Sequence, residues 1–475
     1  MRSLNAIGRR QGREILAALD EAPFMPRHRI FVAALLAALA FDYQKPATLG
    51  FVIPGMREMF GLTQTSASYL AVAGLSGTLI GSIFWGFMAD RVGRRLVLLW
   101  TVGLFSIASL CGLAMQYWQS LLACSVMGFG VGGEAPLVFA LAAEYIPARL
   151  RGKTLLFLGI VGSTGGYALA AGVSAIAKTF YPEVFAWRIL WLVGVIPAAL
   201  VLVLRSRVIP ESARYLLARG RVEEAKAAAE SVVGPIAEVQ GSEVGPQEPI
   251  LAPPRQGLYG RTVILGLFSF AWGVANFGFI TWLPTLLKKL GYTGATSSGY
   301  LALSALIALP ALVVTTMLFT RWSTRGTLVL YAVAGGLTLV LLGAAATGGF
   351  LTPLILVAVS SLIFFFITSI GGAFPLYAAE VYPTVIRARR AGVVSAAGRF
   401  GGVLGPFLGG LWLTGGGSVL GLEMVLATVL IAAAAALHVA GVETRNLTLE
   451  QIGESQPEQR YLDAMTPQGQ GRGDG

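Results

Sequence analysis

The sequence predicts an all-α integral membrane protein with twelve transmembrane helices in two pseudo-symmetric six-helix bundles. Three observations predict it. Of the 475 residues, 55% are hydrophobic and only 12% charged, with a mean hydropathy of +0.71, a balance too apolar for a water-soluble globule to cover. The apolar residues gather into twelve runs, each long enough to cross a bilayer at roughly 20 residues per span. The last six runs repeat the first six. An ordinary soluble enzyme is thereby excluded. The 60 glycines show no three-residue period, which excludes collagen, and polar low-complexity windows are too few for disorder.

In chain order the runs lie near residues 30–55, 66–89, 96–115, 119–145, 154–178 and 188–204, then near 259–287, 298–320, 327–347, 352–381, 392–414 and 419–441. They divide the chain into an N-terminal tail (1–29), a first bundle (30–204), a polar linker (205–257), a second bundle (258–441) and a C-terminal tail (442–475). The linker holds an amphipathic segment from Glu211 to Val233, then a Pro/Gly/Glu-rich stretch expected to be flexible. Of the 35 Lys and Arg residues, 28 fall in the tails, the linker and the alternate loops on one side. Basic residues at span ends stay cytoplasmic, so both termini are expected inside, in a multi-pass protein of the plasma membrane, or of the inner membrane in a bacterium. The net charge of +11 is then a topology signal, and no nucleic-acid partner is expected. Residues 1–29 are basic and amphipathic, without the apolar core of a cleavable signal. Cys111 and Cys124 lie inside apolar runs and imply no disulfide framework. His28 and His438 fall near helix ends and no metal-ligand spacing occurs, so neither metal nor cofactor is expected.

The repeat is clearest where residues 132–166 are laid over 371–402. Gly132-Gly133-Glu134-Ala135-Pro136-Leu137 matches Gly371-Gly372-Ala373-Phe374-Pro375-Leu376, and Ala142-Ala143-Glu144, Pro147 and Arg151 match Ala378-Ala379-Glu380, Pro383 and Arg387 at an offset of 236. Gly162, Gly165 and Gly166 match Gly398, Gly401 and Gly402 in the same way. Parallel six-helix repeats place a substrate cavity between the halves at mid-bilayer.

Ionisable groups at membrane depth cost roughly 2.5–3.5 kcal/mol each on insertion scales and persist where they are used or paired. Four stand out: Asp42, Lys45, Glu134 and Arg399. Each is absent from its repeat partner, since Glu134 corresponds to Ala373, Arg399 to Ser163, and Asp42 and Lys45 to Phe270 and Gly273. A scaffolding role would need them in both halves. Asp42 and Lys45, three residues apart on the first span, share a helix face and can pair, and Pro46 beside them frees a backbone carbonyl. Glu134 lies two residues before Pro136, where a desolvated carboxyl suits proton binding and release; it can alternatively serve as a counter-ion to Lys45 or Arg399. Arg399 offers a fork that matches a carboxylate, or alternatively a latch to the loop between the second and third spans. Asp42 and Glu134 are therefore the candidate proton-coupling groups. Lys45 and Arg399 are the candidate substrate-binding groups, with Trp272, Tyr377 and Asn276.

Between the second and third spans stands Gly86-Phe87-Met88-Ala89-Asp90-Arg91-Val92-Gly93-Arg94-Arg95, a tight turn that needs Gly93 and carries an acid that topology does not explain. Pro210-Glu211-Ser212-Ala213-Arg214-Tyr215-Leu216 follows the sixth span, and Glu443-Thr444-Arg445 the twelfth. Glu380-Val381-Tyr382-Pro383 through Arg387, Gly398-Arg399-Phe400-Gly401-Gly402 and Gly405-Pro406 mark the tenth and eleventh. On these motifs the chain resembles the major facilitator superfamily, and within it the sugar-porter, organic-ion and synaptic-vesicle-type branch. Trp282-Leu283-Pro284 resembles the metabolite (aromatic acid):proton symporters. The stretch Trp272 to Gly278 lacks the Gln-Gln and Asn-rich pattern of hexose carriers. The resemblance implies a carrier that works by alternating access, not an enzyme. It also implies that Asp90, Arg91, Arg94, Glu144, Arg151, Glu211, Glu380 and Arg387 form cytoplasmic charge clusters that latch one conformation. Positive-inside anchoring and helix-end capping are the plainer readings of those residues. At the equivalent loop of the second half, Thr320 to Gly326 contains no acid, so that latch reads as degenerate.

The expected function is import of a small organic anion or related metabolite, with a proton, by a monomer in the lipid bilayer. A proton-coupled exporter of organic cations or drugs is the nearest rival, against which Lys45 and Arg399 weigh. A transport-inactive membrane receptor or scaffold is the third reading.

Overall fold

The computed structural model describes residues 2–193, 195, 208–236, 258–382 and 384–444, with backbone alone for 2–10, 13, 258 and 384–389. The described residues form helices and turns and contain no strand. This is what a bilayer dictates, since an isolated span must satisfy its backbone within itself. The first half comprises α1 (Arg2–Glu21), α2 (Pro26–Phe60), α3 (Gln64–Val92), α4 (Arg94–Ala108) with a terminal 3-10 turn (Ser109–Leu113), α5 (Tyr117–Tyr145), α6 (Ala148–Phe180) and α7 (Glu183–Val193). Two short helices follow, α8 (Ala213–Ala218) and α9 (Val222–Val233), so the amphipathic stretch is divided, with Gly220 at φ +73° in the bend. The second half comprises α10 (Leu258–Lys289), α11 (Gly294–Ile307), α12 (Ala311–Arg321), α13 (Thr324–Thr347), α14 (Pro353–Ile363), a π-helical turn (Phe364–Thr368), α15 (Ser369–Glu380), α16 (Thr384–Thr414) and α17 (Val419–Ala440).

Among the described residues, eleven helical segments are long and apolar enough to cross a membrane. The expected sixth span starts as α7 at Glu183, and most of its remainder, 196–207, lies outside the described residues, as do Pro383, Arg445 and most of the Pro/Gly/Glu-rich linker. Span starts are set by side-chain caps: Thr63, Thr293, Ser323, Thr352 and Ser418 each accept from the backbone N–H three residues on, satisfying a donor that the first helical turn leaves open. The packing repeats with the sequence, since α2 packs on α6 in the first half as α10 packs on α16 in the second. The halves meet through α2–α10, α3–α16, α6–α11 and α6–α15.

Alternating helix direction gathers the Asp90 turn, Glu144, α8, α9, Glu380 and Glu443 at one end of the bundle, the basic end. Here Glu211 does what a helix N-terminus asks of an acid: its Oε1 accepts from the backbone N–H groups of Arg94 (2.8 Å) and Arg95 (3.2 Å) at the start of α4. Arg94 forms an ion pair with Glu144, and Ser212 Oγ donates to the same carboxylate at 2.5 Å. The second half repeats the capping part of this motif. Glu443 accepts from the Thr324 N–H at 2.9 Å and from its hydroxyl at 2.6 Å, and Thr444 Oγ1 donates to Glu380 at 2.7 Å. The loop that lacks an acid in the sequence thus receives one from beyond α17. Arg151 pairs with Asp20 of α1, a helix that docks on α9 and the nearby ends of α5 and α6. Asp90 and Arg91 are exposed; the Asp90 charge acts on Arg94, while Arg91 lies over the Phe87 ring. Arg387 falls in α16, where the side chain lies outside the described residues.

Gly93 joins α3 to α4 at φ +102°, with the Glu211 carboxylate where a Cβ would sit. Gly93→Ala is expected to lose at least about 1 kcal/mol of stability, read as a lowered midpoint for thermal unfolding of the purified protein. An unchanged midpoint contradicts this account of the turn.

Candidate functional site

The central charges are placed by proline. Each proline inside a helix removes the N–H that would bond the carbonyl four residues earlier, so Pro46 releases the carbonyl of Asp42 and Pro136 that of Gly132. Asp42 and Lys45 stand near the midpoint of α2, Glu134 near that of α5 and Arg399 near that of α16. Asp42, Lys45 and Glu134 are 3%, 2% and 0% exposed, well away from either end of their spans.

Their charges are answered crosswise. Lys45 Nζ donates to Ser109 Oγ at 2.6 Å, lies 5.5 Å from the centre of the Phe105 ring, and feels the charge of Glu134. Arg399 feels the charge of Asp42. Its Nη1 donates to the carbonyls of Thr78 at 2.9 Å and Gly132 at 3.1 Å. The second of these is the carbonyl released by Pro136. One guanidinium of the second half therefore reaches three helices of the first: α3 and α5 by hydrogen bonds, α2 by charge. The i, i+3 spacing puts Asp42 and Lys45 side by side, yet each has an opposite charge on another helix.

An aromatic group adjoins this centre. Tyr167 of α6 lies between Phe51 of α2, at 5.5 Å, and Phe364 of the π turn, at 4.5 Å between ring centroids, and Phe279 of α10 stands 6.0 Å from Phe364. The Tyr167 hydroxyl is buried with no hydrogen-bond partner. Thr164 and Thr368 join the halves alongside, at 3.2 Å. Trp272 donates its indole N–H to Ile367 of the same turn at 2.8 Å, and Asn276 is buried one turn further along α10. Tyr377 is not among these residues: its hydroxyl donates to the Val442 carbonyl at 2.6 Å, beside Glu443 at the basic end. As an aromatic of the tenth span it is expected to face the cavity, but its hydroxyl lies against the chain leaving α17.

The opposite end is closed by contacts between the halves. Lys288 of α10 pairs with Glu183 of α7 and lies 3.5 Å from Glu58 of α2, and Lys178 of α6 adds a contact to Glu183 at 3.8 Å. Thr65 and Thr414 join α3 to α16 at 2.7 Å, and Ser174 and Ser298 join α6 to α11 at 2.9 Å. Gly50 lets α2 approach α10 so closely that a Cβ would stand 2.6 Å from the Ile280 carbonyl. Sequence reasoning missed this lock; its signal was the set of charges at loop edges, Glu58, Lys178, Glu183 and Lys288. It missed Tyr167 as well, one tyrosine among many, and Glu423, a lone acid inside an apolar run. Among the described residues, no group of three or more His, Cys, Asp or Glu side chains is arranged to hold a metal.

Comparison with known proteins agrees with this architecture. Residues 30–406 match the family model of the Major Facilitator Superfamily. The niacin transporter NiaP of Acinetobacter baylyi is 29% identical over 93% of this chain and its own full length. The 4-hydroxybenzoate transporter PcaK of the same organism is 26% identical over 92% of this chain and 95% of its own. Among solved structures, the inward open conformation of the xylose transporter XylE from E. coli superposes with a TM-score of 0.72 at 20% identity, covering 90% of this chain and 99% of that one, a likeness of fold. Family match, relatives and helical architecture together make the chain a multi-pass membrane transporter and not an enzyme, and it belongs to the Major Facilitator Superfamily.

Proposed function

We propose that this transporter imports a small organic carboxylate, of the aromatic-acid kind, together with a proton, across the plasma membrane of the cell or the inner membrane of a bacterium. The observation that carries the reading is the Arg399 guanidinium, set between the halves with the Asp42 charge beside it. An ionised Asp42 answers Arg399. A proton on Asp42 removes that answer and leaves the fork to a substrate carboxylate, which it matches in geometry. Lys45 and Glu134 form a second opposite-sign pair that a proton can dissolve in the same way. Binding of anion and proton together keeps the low-dielectric centre neutral, which is what a reorienting cavity requires. The names of the niacin and 4-hydroxybenzoate transporters, both taking aromatic carboxylates, support the substrate class. An organic cation finds less here, since both acids already face bases.

The lysine and arginine distribution supports a cytoplasmic position for the basic end and both termini. The state described, locked at the opposite end by Lys288 with Glu58 and Glu183, is then closed to the outside, and the lock must break for substrate to enter. A monomer suffices, because both halves of the site come from one chain.

In proteoliposomes, an inward proton gradient is expected to drive uptake of 4-hydroxybenzoate or nicotinate, and Glu134→Gln and Asp42→Asn to abolish that drive. Wild-type uptake indifferent to the gradient contradicts the coupling. Arg399→Lys keeps the charge and loses the fork, so binding of the same acids is expected to weaken about tenfold or more; unchanged affinity removes Arg399 from the substrate site. Lys288→Ala is expected to open the far end. With Cys111 and Cys124 replaced and a cysteine at position 65, labelling by an impermeant maleimide from outside should accelerate several-fold. An unaltered labelling rate argues against the lock.

A further inference from the structure

A further carboxyl side chain lies within the membrane-spanning segments, away from the central charges. Glu423 stands on α17 and is 0% exposed. Neither carboxyl oxygen has a hydrogen-bond partner. The residue is packed into the seam with α13, where the Glu423 Cβ would stand 3.2 Å, and the Leu420 Cα 2.9 Å, from any Cβ added at Gly343. It lies past the first turn of α17, whose open N–H at Gly421 is already capped by Ser418, so the helix end makes no demand on this acid.

The helices packed against α17 are α13, α10 and α16, and no charge among the described residues acts on the Glu423 carboxyl. Among the described side chains, their ionisable groups are engaged elsewhere or stand toward the other end. Arg325 of α13 donates to the Gly441 carbonyl and Tyr331 meets Thr315. Lys288 of α10 holds Glu58 and Glu183, and Lys289 reaches the Gln64 carboxamide. The Arg261 and Tyr259 of α10, Arg390 of α16 and His438 of α17 itself sit toward the other end of their helices, while Arg399 is committed to α3 and α5. A carboxylate needs an opposite charge or several hydrogen-bond donors to stay ionised in a low-dielectric interior. A carboxylic acid needs neither in full measure.

We propose that Glu423 is a proton-binding site built into the wall of the second bundle, a neutral carboxylic acid resident in the seam between α17 and α13. The ligand is the proton itself. Because α13 and α17 belong to one half and need not separate as the halves rock, this proton stays with the protein while Asp42 and Glu134 exchange theirs. Losing it would place a bare anion in the seam.

The test is infrared spectroscopy of the full-length protein in lipid vesicles, wild type minus Glu423→Gln, from about pH 5 to about pH 7. The expected difference is a protonated-carboxyl C=O band present in the wild type across this range. Carboxylate stretches at neutral pH, in place of that band, would overturn the proposal. If the glutamine variant does not fold, Glu423→Leu serves as the reference. That variant is also expected to unfold thermally at or above the wild-type temperature, since it removes a buried acid without stranding a partner. The Asp42→Asn difference spectrum assigns the central group separately, so failure of the coupling proposal and failure of this one can be told apart.

Discussion

Arg399 is held by two backbone carbonyls of the first half, one of which, that of Gly132, has no helical donor of its own. Pro136 strips the Gly132 carbonyl of its helical donor, and a guanidinium from α16 restores one. The same Nη1 reaches Thr78 on α3, and the Asp42 charge on α2 completes the surroundings. In water such contacts contribute little; inside a span, where a released carbonyl has no solvent to turn to, they hold two half-molecules in register. Because the acceptors lie in one half and the donor in the other, any motion of the halves must remake this arrangement. On the proposed function, this is where substrate and proton act.

The charge arrangement departs from the symmetry of the scaffold in an informative way. At the basic end both halves use the same device, an acid from the segment after the last span that caps the start of the third or ninth, with Glu211 serving α4 and Glu443 serving α13. Arg94 pairs with Glu144 on one side, and Thr324 and Thr444 stand beside Glu380 on the other. Capping is a need of every helix start and recurs in both halves. The central charges do not recur, which agrees with the proposed function, in which one cavity needs a single set of binding groups divided between the two sides.

Much of the fold was legible in the sequence because a bilayer imposes length and apolarity on each span, and duplication copies motifs at a fixed offset. Gly93, Glu144, Glu211 and Glu380 were legible for the same reason, each standing in a motif with a local job. Partnership was not. Spacing on α2 brings Asp42 and Lys45 together on one face, but which charge answers each depends on where α5 and α16 come to lie, and no periodicity encodes that. Tyr377 shows the same limit: an aromatic in the tenth span reads as a cavity candidate, while its hydroxyl meets the chain past α17. Glu423 and Tyr167 escaped notice because one acid or one phenol in an apolar run carries no pattern, and only burial without a hydrogen-bond partner marks them.

The central claim is that a proton on Asp42 releases Arg399 to a carboxylate. Calorimetric titration of the purified transporter with 4-hydroxybenzoate, in buffers of differing ionisation enthalpy, counts protons taken up on binding. The account predicts uptake approaching about one proton per substrate, lost in Asp42→Asn while binding persists. Binding with no proton uptake in the wild type, or uptake unchanged in Asp42→Asn, would contradict it.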